Sequence, residues 1–508
     1  MQLASYTFKN SYLIHGVSIM ELSFYGGLDT IGGTIIRVSS GKSQLIFDFG
    51  LVYHAERSLL ECHLMSDRYP LLDLLRLRRM PAFDGFYNRA ALYGEKTPAA
   101  RTRFPRPYDP IHDASQSLHV FISHLHLDHM AGVGWIDPNI PVVMSEPSYR
   151  MMEALKTIGE TVGLPRPYQS IPYDTWQHVG EIRYQAVAVD HDIPGASALW
   201  IEAEGIRIIY SGDLRWHGKY PERIDEFIQK AHAFSPDLLL IEGTTIVGRD
   251  VLPEEQLIPS SALPPGFLTE KDMPEHLARS FKDARGVIIV NPYHRNIDRL
   301  EAILDASQQT GRTLVLEPET AYLFYQMSDR LQKDPKQNAI ALYLSERSLQ
   351  RTDRDHLEHR AHENRDWLDT LRSIYPVVDQ QALRDDPQAY VVQNSWERLW
   401  DLLDWNLDGA VYVQTNGMPL GAFDPQFAYL KKVLKELGIE HRSVGTSGHA
   451  LPQHLLEIIR RIEPAYTVPI HSLFPERLGA HSLRPFFPKK YVTYTLKHAP
   501  DGTLLITS

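Results

Sequence analysis

Six consecutive residues carry the densest chemistry in the chain: His124-Leu125-His126-Leu127-Asp128-His129, directly after the apolar run Leu118 to Ser123. A strand ending in a loop turns His124 and His126 to one side, while Asp128 and His129, at the start of the next helix, face a second position. Two adjacent metal positions follow. Neutral imidazole and carboxylate suit Zn²⁺, and a metal pair about 3.5–4 Å apart can hold a bridging hydroxide and clamp a phosphodiester. A His-rich hexapeptide can also be an accidental surface loop, but an Asp among three His at this spacing argues against that reading. A dinuclear centre needs further donors and a bridging carboxylate. Candidates are His191, in Val187-Ala188-Val189-Asp190-His191-Asp192, and Asp213, closing Ile208-Ile209-Tyr210-Ser211-Gly212-Asp213, where Gly212 permits a tight turn. Each alone would more often be an ordinary loop residue.

The elements that must position these groups are short β-branched or apolar runs recurring beside helical stretches: Thr34 to Val38, Gln44 to Phe49, Leu118 to Ser123, Pro141 to Met144, Gly205 to Tyr210, Leu238 to Glu242, Gly286 to Val290, Thr313 to Glu317, Gly409 to Val413 and Ala465 to Ile470. This reads as an α/β protein with layered sheets. A length of 508 residues implies two or three domains, and 43% hydrophobic with 23% charged residues excludes disordered, collagen-like and disulfide-framework classes. The net charge of −11 means that a polyanion partner must be held by a local basic patch or by bound cations. The single cysteine, Cys62, makes neither an intramolecular disulfide nor a metal cluster, so a metal relies on His, Asp and Glu. Met1 to Met20 lacks the apolar core of a signal peptide, and no stretch reaches the roughly 18 apolar residues of a membrane span, so a cytoplasmic location without membrane contact is expected. Three segments interrupt the rhythm: Tyr53 to Ala114, expected to be a helical insertion or lid; Leu252 to Gly266, Pro-rich and linker-like; and Arg351 to Asp366, a charged and solvated helix.

Taken together the spacing resembles the metallo-β-lactamase fold superfamily. Asp48, in Ile46-Phe47-Asp48-Phe49-Gly50, matches its first motif, the hexapeptide its second, His191 its third and Asp213 its fourth. Further on, Leu240-Ile241-Glu242-Gly243-Thr244-Thr245, Ser447-Gly448-His449-Ala450 and Val468-Pro469-Ile470-His471 resemble motifs A, B and C of the β-CASP nucleases, and Asn296-Ile297-Asp298-Arg299 is similar to a helix start in ribonuclease J-like enzymes. The resemblance implies a four-layer αβ/βα sandwich with an inserted β-CASP α/β domain. The expected division is 1–262 for the first part of the sandwich, with its insertion at about 53–114, 263–425 for the β-CASP domain and 426–508 for the rest of the sandwich.

By the same resemblance, His124, His126, His191 and Asp213 would hold one metal, and Asp128, His129, a bridging Asp213 and His471 the other. Asp48 would support the ligands from behind. Two Zn²⁺ are implied, although His/Asp sites accept Mn²⁺ as well. The candidate catalytic residues are His449, near the leaving oxygen, Glu242, orienting a ligand histidine, and the carboxylates Asp128 and Asp213. The implied activity is metal-dependent hydrolysis of RNA phosphodiesters, exonucleolytic or endonucleolytic. A histidine at motif C is typical of the RNA-processing branch, and single-stranded RNA suits a narrow cleft. Competing readings are a small-ester hydrolase, a DNA nuclease and a noncatalytic RNA-binding subunit, and a homo-oligomer is left open. Thr415, Asn416 and Gly417 are candidates for an anion-accepting loop, and Arg295 and Tyr293 for contacts to phosphate or base. The pattern departs from the family after His471, where the next acidic residue is Glu476, and in the length of the 53–114 insertion. Arg76, Arg78 and Arg79 could guide a backbone or simply pack, and His356, His359 and His362 read as a solvated face.

Overall fold

Strands that are covered on both sides need apolar residues at every position, and here the short apolar runs of the sequence coincide with strands. Leu238–Glu242 shows why: Leu238 and Leu240 enter one core, while Leu239 and Ile241 enter another on the opposite face. The structure is a computed structural model that describes residues 19–52, 70–83, 85–93, 117–246, 263–334, 338–344, 366–421, 424–479 and 482–508.

Among the described residues the strands form three sheets, of eight, six and seven strands. The eight-stranded sheet holds Met20–Gly26, Ile35–Ser40, Ser43–Phe47, Ser117–Ile122 and Val142–Ser145 side by side, antiparallel at first and parallel from Ser43–Phe47 onward. The six-stranded sheet sets Tyr466–Ile470, Leu238–Glu242 and Ile206–Tyr210 in parallel, followed by the antiparallel Ser197–Ala203 and Ile182–Ala188. The two sheets share an apolar interior that includes Phe24, Phe47, Phe121, Tyr184, Ile201, Ile208 and Val468. Outside, Met151 and Leu155 of helix Glu146–Thr157 cover the first sheet, and Phe227 and Ile458, from helices Glu222–Phe234 and Pro452–Ile462, cover the second. Helix, sheet, sheet and helix make the expected αβ/βα sandwich.

The seven-stranded sheet is parallel throughout, with Ile297–Gln309 and Pro318–Met327 on one face and Pro425–Glu436 on the other. One apolar cluster runs from the outer face of the eight-stranded sheet into this inserted unit, where helix Glu146–Thr157 packs on Pro318–Met327. The sheet extends past the expected boundary at residue 425, because Glu440–Ser443 pairs with Val411–Thr415. Of the expected insertion at 53–114, the described parts are residues 70–83 and 85–93. There Leu71, Leu75, Phe83 and Phe86 join the core, and Arg76, Arg78 and Arg79 are exposed. The rest of that segment lies outside the described residues, as do residues 252–262 and 351–365 with His356, His359 and His362. No described helix is long and apolar enough to cross a membrane.

Parallel strands bring their carboxyl ends to one edge, the usual place for a site in such sheets. At this edge Ser43–Phe47 and Ser117–Ile122 of one sheet meet Ile206–Tyr210, Leu238–Glu242 and Tyr466–Ile470 of the other. Truncating Leu240, wholly buried between the sheets, is expected to cost about 2–5 kcal/mol. A Leu240→Ala protein with an unchanged urea midpoint would contradict this placement of the core.

Candidate metal centre

Asp48 follows strand Ser43–Phe47 with a φ of 55° and is wholly buried. Its carboxylate accepts from the Ser123 backbone N–H (2.7 Å), the Ser123 hydroxyl (2.7 Å), His129 Nδ1 (2.7 Å) and the Tyr210 hydroxyl. The start of the His124 loop, the short helix Leu127–Met130 and strand Ile206–Tyr210 are thereby tied to one group. Gly50 lets the loops close, since a Cβ there would stand 1.6 Å from the Asp128 carbonyl oxygen.

Every histidine around this point has one ring nitrogen engaged, which sets what the other can do. Nδ1 of His124 faces the Ser123 hydroxyl (3.0 Å), Nδ1 of His191 donates to the Gly448 carbonyl (2.6 Å), and Nδ1 of His471 faces the Thr244 hydroxyl (2.8 Å). His126 is turned the other way, its Nε2 lying 3.3 Å from Asp192 Oδ1. The free nitrogens then converge. His126 Nδ1 is 3.2 Å from both His124 Nε2 and His191 Nε2, and His129 Nε2 is 3.2 Å from His471 Nε2. Asp128 Oδ2 is 3.1 Å from His471 Nε2.

Between these groups lies Asp213, almost fully buried, with neither carboxylate oxygen hydrogen-bonded. Its Oδ2 is 3.2 Å from His129 Nε2, 3.7 Å from His124 Nε2, 3.7 Å from His471 Nε2 and 3.8 Å from His449 Nδ1. A buried carboxylate with no hydrogen bond to either oxygen, ringed by inward-facing imidazole nitrogens, is a costly arrangement by itself. A divalent cation answers both. Zinc–nitrogen bonds of about 2.0–2.1 Å set tetrahedral donors about 3.3 Å apart, close to the separations found here. The donor atoms of His124, His126, His191 and Asp213 lie within 4.8 Å of one another, as do those of Asp128, His129, Asp213 and His471.

Electrostatics agree with the donor chemistry. Burial pushes the His191 imidazole down to about 3 and lowers His124 and His126 as well, which keeps their lone pairs free of protons. Burial opposes charge on Asp213, yet His129 and His471 hold its carboxyl well below the usual range. Burial also opposes charge on His129, but Asp213, Asp128 and Asp48 outweigh it and raise the imidazole, a field that a bound cation would satisfy instead.

Glu242 is wholly buried at the end of Leu238–Glu242. Its carboxylate accepts from the N–H groups of Leu214 (3.2 Å) and Thr244 (3.1 Å) and pairs with His449 Nδ1 at 3.2 Å. It therefore orients His449, while the Thr244 hydroxyl faces His471 Nδ1. Desolvation lowers the His449 imidazole, but Glu242, Asp213 and Asp192 overcome it and lift it to about 10. Asp213, Glu242 and His449 form a third set of neighbouring donor atoms.

Two substrate-contact expectations require correction. Arg295 is 5% exposed, with Nη1 donating to the Leu125 carbonyl (3.0 Å) and Nη2 lying 3.4 Å from Glu160. The Thr415-Asn416-Gly417 loop is likewise engaged. Thr415 is wholly buried, Asn416 Oδ1 accepts from Arg299 (2.9 Å), and the Gly417 N–H donates to the Asn291 carbonyl (2.9 Å) instead of facing an anion. Glu476 is exposed on helix Pro475–Gly479, away from the role of a site carboxylate. The sequence reading missed Asp192, Thr244 and the buried relay in which Glu270 bridges Arg215 (2.9 Å) and Arg299 (2.7 Å). Adjacency to His191 was an available signal for Asp192; no local signal marks Glu270.

A family model described as a β-lactamase superfamily domain matches residues 90–251. Ribonuclease J of Pyrococcus abyssi is 22% identical over 476 residues, 90% of this chain and 91% of that one. The chain thus carries a match to the β-lactamase superfamily domain and is similar to ribonuclease J over nine-tenths of its length. Ribonuclease J of Sinorhizobium meliloti is 22% identical over 207 residues, 39% of this chain, and the match spans only 33% of that relative. A crystal structure of an Enterococcus faecalis protein of unknown function superposes with a TM-score of 0.69 at 26% identity, covering 94% of this chain and 100% of that one. In this ribonuclease J-like chain, Asp48→Ala should strand the Ser123 N–H, the Tyr210 hydroxyl and His129 Nδ1, at a cost of roughly 3–5 kcal/mol. A lower thermal midpoint together with metal loss in dialysis is the expected outcome, and a fully metallated variant of unchanged midpoint would refute it.

Proposed function

We propose that the chain is a ribonuclease that hydrolyses phosphodiester bonds of single-stranded RNA with two Zn²⁺ ions. The observation that carries this reading is Asp213, a buried carboxylate without a hydrogen bond that faces both groups of imidazoles. His124, His126, His191 and Asp213 would hold one ion, and Asp128, His129, Asp213 and His471 the other. Bound there, the ions would supply positive charge for the nonbridging oxygens and lower the pKa of a water.

The remaining chemistry belongs to the chain. His449 is oriented by Glu242 through Nδ1, and that buried carboxylate favours its protonated form. It is the proton donor for the leaving oxygen, a role worth about 10²–10⁴-fold in rate. The match to ribonuclease J across nine-tenths of the chain supports RNA as the substrate. A single-stranded form is part of the proposal, since unpaired bases are free to stack on protein side chains. The filled set of donors opposes a noncatalytic scaffold. A cytoplasmic setting is part of the same proposal.

The test uses a 5′-monophosphorylated, 3′-labelled linear RNA beside a circular RNA of the same sequence, with Zn²⁺ or Mn²⁺ supplied. Cleavage is expected to fall by about 10²–10⁴-fold in His449→Ala and to disappear in Asp213→Ala. Attack on the circle identifies an endonuclease, and sparing it an exonuclease. Hydrolysis of a small ester with neither RNA cut would overturn the reading, as would full activity in Asp213→Ala.

A further inference from the structure

We propose that the inserted domain is a working part of the metal centre: its loop Tyr293–Arg295 positions His126, so that retention of the ion held by His124, His126 and His191 is linked to the seating of that loop. The inference rests on the metal assignment proposed above.

The loop leaves strand Ile288–Pro292 and reaches across to the hexapeptide of the other domain. Arg295 donates from Nη1 to the Leu125 carbonyl at 3.0 Å. Leu125 is the residue between His124 and His126 and is wholly buried, so its peptide orientation sets how the two imidazoles stand to each other. The Tyr293 ring packs on the His126 ring with centroids 5.4 Å apart. His126 is therefore held by Asp192 at Nε2, by the Tyr293 ring and, through Leu125, by Arg295.

The loop is also braced at its base. Glu160 of the first domain takes a hydrogen bond from His294 Nε2 (2.7 Å) and lies 3.4 Å from Arg295 Nη2. Next along the chain, Asn296 Oδ1 accepts from the Arg299 N–H (2.9 Å) and caps helix Ile297–Gln309. A buried guanidinium left without these partners is costly, so the loop is either seated or withdrawn as a unit. Linkage then runs both ways: whatever seats the loop favours the metal geometry, and whatever fills the metal position favours the seated loop.

Zinc affinity is measured on the full chain by competition with a chromophoric chelator, which resolves stepwise removal of the ions. Arg295→Ala is expected to weaken one ion by about tenfold or more and to leave the other within about twofold, the range seen when a residue behind a metal ligand is lost. Arg295→Lys should fall between. In the unmutated protein, removal of zinc should speed hydrogen exchange at the amides of residues 293–296. In Arg295→Ala the same amides should exchange fast with or without zinc. Equal weakening of both ions, no weakening, or exchange indifferent to zinc would each overturn the proposal. Should Arg295→Ala not fold, Glu160→Gln, which loosens the brace but spares the Leu125 bond, is expected to weaken the same ion by a smaller factor. A chain that binds no zinc sinks the nuclease reading. A chain that binds two zincs indifferently to Arg295 sinks only this one.

Discussion

The Asp48 carboxylate is the tie on which the centre depends. Four donors from three separate pieces of chain end on it, with strands of both sheets among their sources. A carboxylate so deeply buried is tolerable only when its lone pairs are filled, and charge-assisted bonds to backbone, hydroxyl and imidazole fill them. The same bonds fix the direction of His129 and the start of the loop carrying His124 and His126. Removing water from between two sheets and placing ligands at their common edge are thus one structural event.

The donors in front of Asp48 follow the opposite rule. Asp213 makes no hydrogen bond, and the imidazoles around it turn lone pairs inward. Each of these imidazoles has a polar neighbour on its far side: Ser123, Gly448, Thr244, Asp48 or Asp192. Order behind the ligands and electrostatic frustration in front of them is how a protein stores affinity for a cation: the scaffold bears the cost of gathering the donors before the ion arrives.

The inserted domain adds a second kind of constraint. Glu270 bridges Arg215, two residues after Asp213, to Arg299 at the start of helix Ile297–Gln309, and all three are buried. Arg299 reaches Asn416 in turn. Buried ions need exact partners more than apolar groups do, so a relay of this kind specifies one relative placement of the elements it joins. Asn416, a plausible substrate contact when viewed alone, is thereby spoken for by protein.

The amino-acid sequence by itself determined the local parts. Alternating and continuous apolar runs specify strands and an α/β protein of layered sheets, because period and burial are local properties of a strand. The hexapeptide places His124, His126, Asp128 and His129 within reach of one another, since six residues across a strand end and a helix start cannot separate them far. The meeting of His191, Asp213 and His471 with that hexapeptide was legible only through the resemblance of the spacing to a known pattern. Tertiary structure alone decided the pairings across long stretches of chain: Glu242 with His449, Arg295 with Leu125, Glu270 with Arg215 and Arg299, and the strand Glu440–Ser443 that extends the inserted sheet. Arginine and carboxylate side chains carry no local signature of whether they will meet substrate or one another. That choice is made when burial strips their water and leaves the nearest compatible partner to replace it.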